Sequence, residues 1–388
     1  MTTKNSTPCH CTLNFYKIVL NFVMKNKTVL ILFLTFLFPQ YQIGHYNKTF
    51  QDPDRFNRNI ETEIYYPAIT NGDNTTAVED HFPVIIFGHG FVQDWDVYQN
   101  LWEEFVPNGY IMVFPRTEVS FFSTDHQQFG WDLQFLVSKI QDEGFSNTSP
   151  IYNTVDNSTA LMGHSMGGGA SFLAADSLCS NGNSQIKTLI GLAPAESSSN
   201  GVSSIASAAN ITVPSLILSG SQDGVTPPSV HHIPLYDNLA SNFKTFISII
   251  GGAHCYFSNP SFTCDFGESA SSTGISISRE EQQAITYDFL NLWLDYTLKG
   301  DCTDFFEFQD YLNTSNSIDY NQTNTEVESC EEPVNGDINL DGNINVSDIV
   351  LIVNTILSNQ AYNASYDLNN DENINVSDII ILVNIILN

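Results

Sequence analysis

From Gly44 to about Gly300, short apolar runs alternate with amphipathic segments, and this alternation restricts the fold more than any other feature of the chain. The runs are Glu63–Tyr66, Val84–Phe87, Tyr110–Phe114, Thr159–Met162, Thr188–Leu192, Ser215–Ser219 and Phe246–Ile250. Several are continuous rather than alternating, the pattern of parallel strands buried on both faces. Helical patterns lie between them, such as Tyr98–Phe105, ending near Asn108-Gly109, and Trp131–Ile140. The last is framed at both ends: Ser278 and Glu281 form a capping box, an amphipathic run follows to Leu298, and Gly300 ends it. Strands alternating with helices over this length predict an α/β protein with a mostly parallel sheet flanked by helices.

The flanks differ. Met24-Lys25-Asn26-Lys27 is a short basic start, and Val29–Phe38 is nearly continuous in Leu, Ile and Phe. That run is too short for a bilayer-spanning helix and fits a signal-peptide core. Residues 1–43 are therefore expected to be an upstream extension and signal peptide, with Met24 the better start. No later stretch is long enough to cross a membrane, so a secreted or cell-surface-attached product is expected. Residues 44–312 form the expected α/β domain, residues 313–335, rich in Asn, Thr, Ser and Glu, a linker, and residues 336–388 a repeat domain.

Charge removes whole classes of partner. With 13 Lys plus Arg against 43 Asp plus Glu, the 388 residues carry a net charge of −30. No Lys, Arg or His follows Lys299. Nucleic acid and anionic membrane surfaces both need clustered basic side chains and are disfavoured as partners. Calcium is compatible with such acidity. Export permits disulfides, and the close pairs Cys255/Cys264 and Cys302/Cys330 are candidates, leaving Cys179 over.

The strongest chemical signal is Gly163-His164-Ser165-Met166-Gly167-Gly168, between the strand Thr159–Met162 and a small-residue helix from Gly169 to Leu178. A nucleophile elbow needs that context: the glycines permit a sharp strand-to-helix turn that lifts the Ser165 hydroxyl clear of the sheet. The pentapeptide alone also arises by chance. A serine needs a base, usually a histidine oriented by a carboxylate, and both should follow in chain order on loops past strand ends. Asp223 follows Leu216-Ile217-Leu218, and His254 follows Ile247–Ile250. His231 and His232 are expected on a solvated helix start, while His89 and His164 belong to motifs where the backbone matters more. Oxyanion donors are expected from the Met166 amide beside Ser165 and the Phe91 amide in Phe87-Gly88-His89-Gly90-Phe91.

The segments Gly163–Gly168, Asp223-Gly224-Val225-Thr226-Pro227-Pro228, Ile233-Pro234-Leu235-Tyr236-Asp237 and Gly251–His254 resemble the polyesterase–lipase–cutinase group of α/β-hydrolases, with its chlorophyllase-like and dienelactone-hydrolase-like relatives. Over about Gly44–Gly300 the resemblance implies an α/β-hydrolase fold, Ser165 as nucleophile, Asp223 and His254 as its partners, and Phe91 and Met166 as oxyanion donors, with no cofactor for catalysis. Two segments depart from it. The Trp that plastic-degrading members carry is absent from Leu192-Ala193-Pro194-Ala195-Glu196, and Cys255-Tyr256-Phe257 is bulkier than in a typical cutinase. The implied chemistry is serine ester hydrolysis through an acyl-enzyme. About 22 residues (193–214) separate two strands, too few for a large lid, so an open, partly aromatic cleft is expected. Phe91, Trp95, Met166 and Tyr256 are its candidate lining.

After residue 335 a motif recurs with an offset of 30 residues (337 to 367). The first copy puts Asp337, Asn339, Asp341, Asn343 (through its backbone), Asn345 and Asp348 at calcium-loop spacing, with Gly342 at the sharp turn. The second gives Asp367, Asn369, Asp371, Asn373, Asn375 and Asp378, with Glu372 where Gly is preferred. Asp at position 12 and a helix only after each loop resemble a type I dockerin. That resemblance implies bound Ca²⁺ and a cohesin as partner, with Val346-Ser347 and Val376-Ser377 at the recognition positions. Three readings follow: a secreted serine esterase of lipid or polyester type, a dockerin-borne carbohydrate esterase in polysaccharide degradation, and an assembly or adhesion protein with an inactive hydrolase domain.

Overall fold

The computed structural model describes residues 41–198, 201–325, 330, 336–339, 343–358, 366–369, 371 and 373–387. The expected leader up to residue 40, Asp341, Gly342 and Glu372 lie outside the described residues. The strands are β1 (Gln42–Asp52), β2 (Arg58–Ala68), β3 (Gly72–Asp73), β4 (Phe82–Gly88), β5 (Ile111–Pro115), β6 (Val155–His164), β7 (Ile186–Leu192), β8 (Ser215–Gly220), β9 (Phe243–Ile249) and β10 (Ile318–Asn324). The helices are α1 (Gln99–Phe105), α2 (His126–Phe145), α3 (Met166–Ser180), α4 (Ser204–Ala208), α5 (His232–Asn238), α6 (Phe262–Ser271), α7 (Arg279–Leu294), α8 (Cys302–Thr314), α9 (Val346–Ser358) and α10 (Val376–Leu387).

One sheet carries all ten strands in the order β10-β9-β8-β7-β6-β4-β5-β2-β1-β3. Strands β5, β4, β6, β7, β8 and β9 run parallel, while β2 and β10 join the two ends of that block antiparallel. The continuous apolar runs follow from this architecture. Val84 and Ile86 pack in a cluster with Leu133, Leu136 and Phe172 of α2 and α3. Ile85 and Phe87, pointing the other way, pack with Phe289, Leu290 and Trp293 of α7. Each central strand thus feeds two cores. The strand order reverses at β4/β6, where the carboxyl ends diverge and leave a crevice. There Gly88 pairs with Gly163.

Helix α7 carries the expected capping box, with Ser278 and Glu281 satisfying each other's backbone amides. A π-turn over Asp295–Lys299 carries the run to Gly300, which ends it at φ 75°. Residues 318–324, inside the expected linker, are instead strand β10, paired with β9 across seven positions. Its polar sequence hid it: on this edge strand only Ile318 is buried. Both candidate disulfides are present, Cys255–Cys264 and Cys302–Cys330, and Cys179 is free.

The repeats build a small core of their own. Ile338 and Leu368 from the two loops meet Ile352 and Leu382 from α9 and α10, the same pair of positions twice over. Among the described residues no helix is long and apolar enough to cross a membrane.

Candidate active site

Ser165 stands between β6 and α3 at φ 54° and ψ −119°, a conformation that costs energy for any residue with a Cβ and persists only where packing enforces it. The packing is glycine against glycine. A Cβ on Gly163 would lie 2.3 Å from the Gly167 carbonyl oxygen, and one on Gly167 would lie 2.1 Å from Gly88. The Ser165 amide donates to Leu192 O at 3.0 Å, and its carbonyl accepts from Ala195 N at 2.8 Å, so β7 holds the turn from the side.

Asp223 and His254 reach the same crevice from the loops after β8 and β9. His254 Nδ1 donates to Asp223 Oδ2 at 2.7 Å, with both side chains buried. Asp223 Oδ1 accepts the Val225 and Thr226 amides at 2.9 and 2.7 Å. Burial pushes the Asp223 carboxyl up, but the imidazole of His254, its hydrogen bond, nearby His232 and the Thr226 amide outweigh this and hold it below the usual carboxylate range. Asp223 is thus a fixed anion beside His254.

The His254 loop is clamped from several sides. Gln282 of α7 bonds both the amide and the carbonyl of Ala253, at 2.8 and 2.9 Å. Buried Glu268 of α6 accepts the Cys255 amide at 2.6 Å, and the Cys255–Cys264 bridge ties the same two segments. His164 Nε2 donates to the His254 carbonyl at 3.0 Å while its Nδ1 meets the Tyr98 hydroxyl at 2.8 Å. Burial keeps His164 neutral, pushing its pKa well below the ordinary value. The Tyr98 hydroxyl also accepts the Gly90 amide at 2.8 Å. One chain of hydrogen bonds therefore joins the glycine loop after β4 to the His254 loop.

Ser165, His254, Gly90 and Phe91 line one cavity of about 370 Å³. No direct hydrogen bond joins the Ser165 hydroxyl to His254; in unliganded hydrolases this contact is commonly loose and tightens with substrate. Met166 is the first residue of α3, where helix geometry leaves the amide without an intrahelical acceptor. The Phe91 amide likewise has no backbone acceptor among the described residues.

The cleft lining differs from expectation. Trp95 donates its indole N–H to Tyr65 Oη at 2.9 Å and lies 4.0 Å beneath Arg116, outside the cavity. Tyr256 packs against Arg279 at 4.7 Å, also outside it, and the Met166 side chain is part of the core. The aromatic walls are Phe91 and Phe121 on one side and Phe262 and Phe266 of α6 on the other.

His231 and His232 are the second correction. Instead of a solvated helix start, His232 is fully buried beside Asp223, and half-buried His231 accepts the Glu196 amide at 2.9 Å. A signal for this existed: His232, Leu235, Tyr236 and Leu239 fall at i, i+3, i+4 and i+7, which sets His232 on the buried stripe.

In the repeat loops, Asp348 Oδ1 accepts the Ile338 and Asn339 amides, and Oδ2 accepts that of Asn345. Asp378 does the same with Leu368, Asn369 and Asn375. Asp337, Asp348, Asp367 and Asp378 are all buried, in a segment with no basic side chain. An all-oxygen donor set of Asp and Asn in such a place fits a hard divalent cation. Asn343 and Asn373 also fall within these loops, as does Asp371, whose amide meets Asp367 Oδ1 at 3.1 Å.

The type I dockerin family model matches residues 335–387. Cutinase 1 of Thermobifida cellulosilytica and the cutinase of Thermobifida fusca (strain YX) are each 25% identical over 195 residues, 49% of this chain and 64% and 56% of theirs. The chain thus spans less than two thirds of the curated relatives it matches. The model described as PET hydrolase-like matches residues 56–270, more than half of the chain. The chain belongs to the PET hydrolase-like family of α/β-hydrolases and carries a type I dockerin domain at its C-terminal side.

Proposed function

We propose that this protein is an exported serine carboxylic-ester hydrolase of cutinase type, attached through its dockerin to a cohesin-bearing partner. The observation that carries the reading is the buried 2.7 Å Asp223–His254 pair opening onto the cavity that Ser165 also lines. Ser165 attacks the ester carbonyl as His254 takes its proton, and Asp223 fixes the imidazole tautomer and stabilises its cation. The Phe91 and Met166 amides receive the developing oxyanion. His254 then protonates the leaving alkoxide, and water, activated by the same imidazole, hydrolyses the acyl-Ser165 ester.

The catalytic unit runs to β10, and the dockerin follows from Gly336. In the dockerin, Asp337, Asn339, Asp341, the Asn343 carbonyl, Asn345 and Asp348 would hold one Ca²⁺, and Asp367, Asn369, Asp371, the Asn373 carbonyl, Asn375 and Asp378 a second. Bound calcium supplies the charge that lets those buried carboxylates fold.

The rim favours apolar esters. Phe91, Phe121, Phe262 and Phe266 line the cleft and are exposed, and a set of exposed aromatic rings suits an acyl or aryl chain rather than a sugar hydroxyl face. The dockerin favours a second reading, an esterase acting on substituted polysaccharide. Nitrophenyl esters of two to twelve carbons, assayed beside acetylated polysaccharide, separate the two. Ser165→Ala should lower turnover on the order of 10⁶-fold and abolish labelling by a serine-directed phosphonate, with an unchanged fold by circular dichroism. Unchanged turnover would remove Ser165 from the mechanism.

A further inference from the structure

Behind the Asp223–His254 pair lies a second buried histidine that the mechanism above leaves without a task. His232 Nδ1 is 2.8 Å from Ser219 Oγ, and His232 Nε2 is 3.0 Å from Thr226 Oγ1. Thr226 Oγ1 is in turn 2.9 Å from Asp223 Oδ2 and 2.8 Å from His254 Nδ1. These five side chains come from β8, the loop after it, α5 and the loop after β9, and all are buried. His232 Nε2 itself is 3.8 Å from Asp223 Oδ2, too far for a direct bond.

One proton arrangement sets a donor opposite an acceptor at each step from Ser219 to Asp223, with Thr226 Oγ1 a second, shared acceptor 2.8 Å from His254 Nδ1. Ser219 O–H donates to His232 Nδ1, His232 Nε2–H to Thr226 Oγ1, Thr226 O–H to Asp223 Oδ2, and His254 Nδ1–H to the same oxygen. Burial keeps His232 neutral, as this arrangement requires, with its pKa pushed down to about 3. The titratable groups facing it are Asp223, His254, His231 at the N-cap of its helix, and His164 at the elbow. The Thr226 hydroxyl has a competing acceptor, the Ala193 carbonyl at 3.3 Å. The shorter distance to Asp223 Oδ2 and the charge on that oxygen direct the hydroxyl to Asp223, while the Ala193 carbonyl also faces His232.

We propose that Ser219, His232 and Thr226 form a positioning relay that orients the Asp223 carboxylate and moderates its hold on His254. The proposal rests on the reading of Ser165, Asp223 and His254 as a triad. The relay completes the four hydrogen bonds of Asp223: two amides on Oδ1, and Thr226 and His254 on Oδ2. The hydroxyl draws charge from the oxygen that His254 uses. Removing it leaves Oδ2 a stronger acceptor, which favours the His254 imidazolium and raises the pH at which that base becomes available.

The test compares Thr226→Val, Thr226→Ser, His232→Leu and His232→Gln in the full chain, with nitrophenyl butyrate across pH 5–9. Thr226→Val and His232→Leu should each lower kcat about tenfold with KM unchanged, and move the acid limb of kcat/KM to higher pH. Thr226→Ser, which keeps the hydroxyl, and His232→Gln, which keeps an N–H donor, should return the limb toward wild type. A merely structural role would lower the active fraction without moving the limb. The downfield His254 Nδ1–H proton resonance gives a readout independent of substrate, and should move in Thr226→Val and return in Thr226→Ser. Wild-type protein without esterase turnover would sink the triad reading, and the resonance would still test the relay. An acid limb, or in that case a resonance, that stays at its wild-type position in both Thr226→Val and His232→Leu overturns the proposal.

Discussion

Ser165, Asp223 and His254 were legible because each stands where a strand ends, and a strand end is written in the sequence as an apolar run breaking at glycine. Thr226 and His232 were only partly so: the helical stripe marks His232 as buried, but nothing local marks the carboxylate of another loop that it faces. Their burial has a consequence for stability. A histidine with an ordinary value near 6.5 and a folded value of about 3 stays unprotonated in the native state while the unfolded chain takes up a proton. Stability is therefore lost as pH falls from about 6.5 toward 3. Asp223, held below the carboxylate range, adds a loss in the same direction at lower pH, as protonation passes through its depressed value. Asp304 opposes both: burial first, then Asp295, lift it to about 7, so its protonation on acidification favours the native state. The decisive quantity is thus the difference between two proteins. The melting temperature of His232→Gln, relative to wild type, should rise by on the order of 5 °C between pH 7.5 and pH 4.5. A difference independent of pH would show that His232 ionises equally in both states.

At the scale of elements, the parallel strands were the most readable part because burial on two faces demands uninterrupted apolar residues. The edges escaped for the converse reason. In β1, His45-Tyr46-Asn47-Lys48-Thr49 carries mostly polar residues, as β10 does, and pairing rather than hydrophobicity defines both. Helix α6 was equally hidden, yet it shapes the site. Its anchorage is the Cys255–Cys264 bridge, the Glu268 bond to the Cys255 amide, the Arg279–Asp265 pair at 2.6 Å, and the Ser272 hydroxyl, which accepts the Gly224 amide at 2.8 Å. With the helix so fixed, Phe262 and Phe266, stacked at 6.1 Å and 85% and 68% exposed, form a rigid apolar ledge beside the cavity. Rings left in water at a site mouth gain by covering a chain that passes over them. The double variant Phe262→Ser/Phe266→Ser should raise KM for a twelve-carbon ester about tenfold and leave acetyl ester hydrolysis within about twofold of wild type. Equal loss on both esters would place the ledge in the catalytic step rather than in binding.

At the scale of the whole molecule, two architectures of opposite physical character share one chain. The hydrolase region rests on two extensive apolar cores, one on each face of a ten-stranded sheet. The repeat lobe has, among the described residues, four buried apolar residues as its centre and buries Asp348 and Asp378 completely within loops of backbone amides. Domains this small seldom fold on apolar burial alone, and carboxylates taken from water without a counter-charge oppose folding. The repeat was evident in the sequence for the same reason that it needs a cation: oxygen ligands at fixed spacing leave a periodic signature that a mixed core does not. Chelation should therefore separate the two parts. In excess chelator, helical ellipticity assignable to α9 and α10 should fall and return on adding Ca²⁺ in preference to Mg²⁺, because oxygen-rich loops of this size suit the larger, less rigidly hydrated ion. Nitrophenyl ester turnover should meanwhile stay within about twofold of the calcium-loaded protein, since the hydrogen-bond partners described for the proposed triad all lie in the hydrolase region. A parallel collapse of turnover and ellipticity would mean that the lobe supports the catalytic region, and an ellipticity indifferent to chelator would remove calcium from the account.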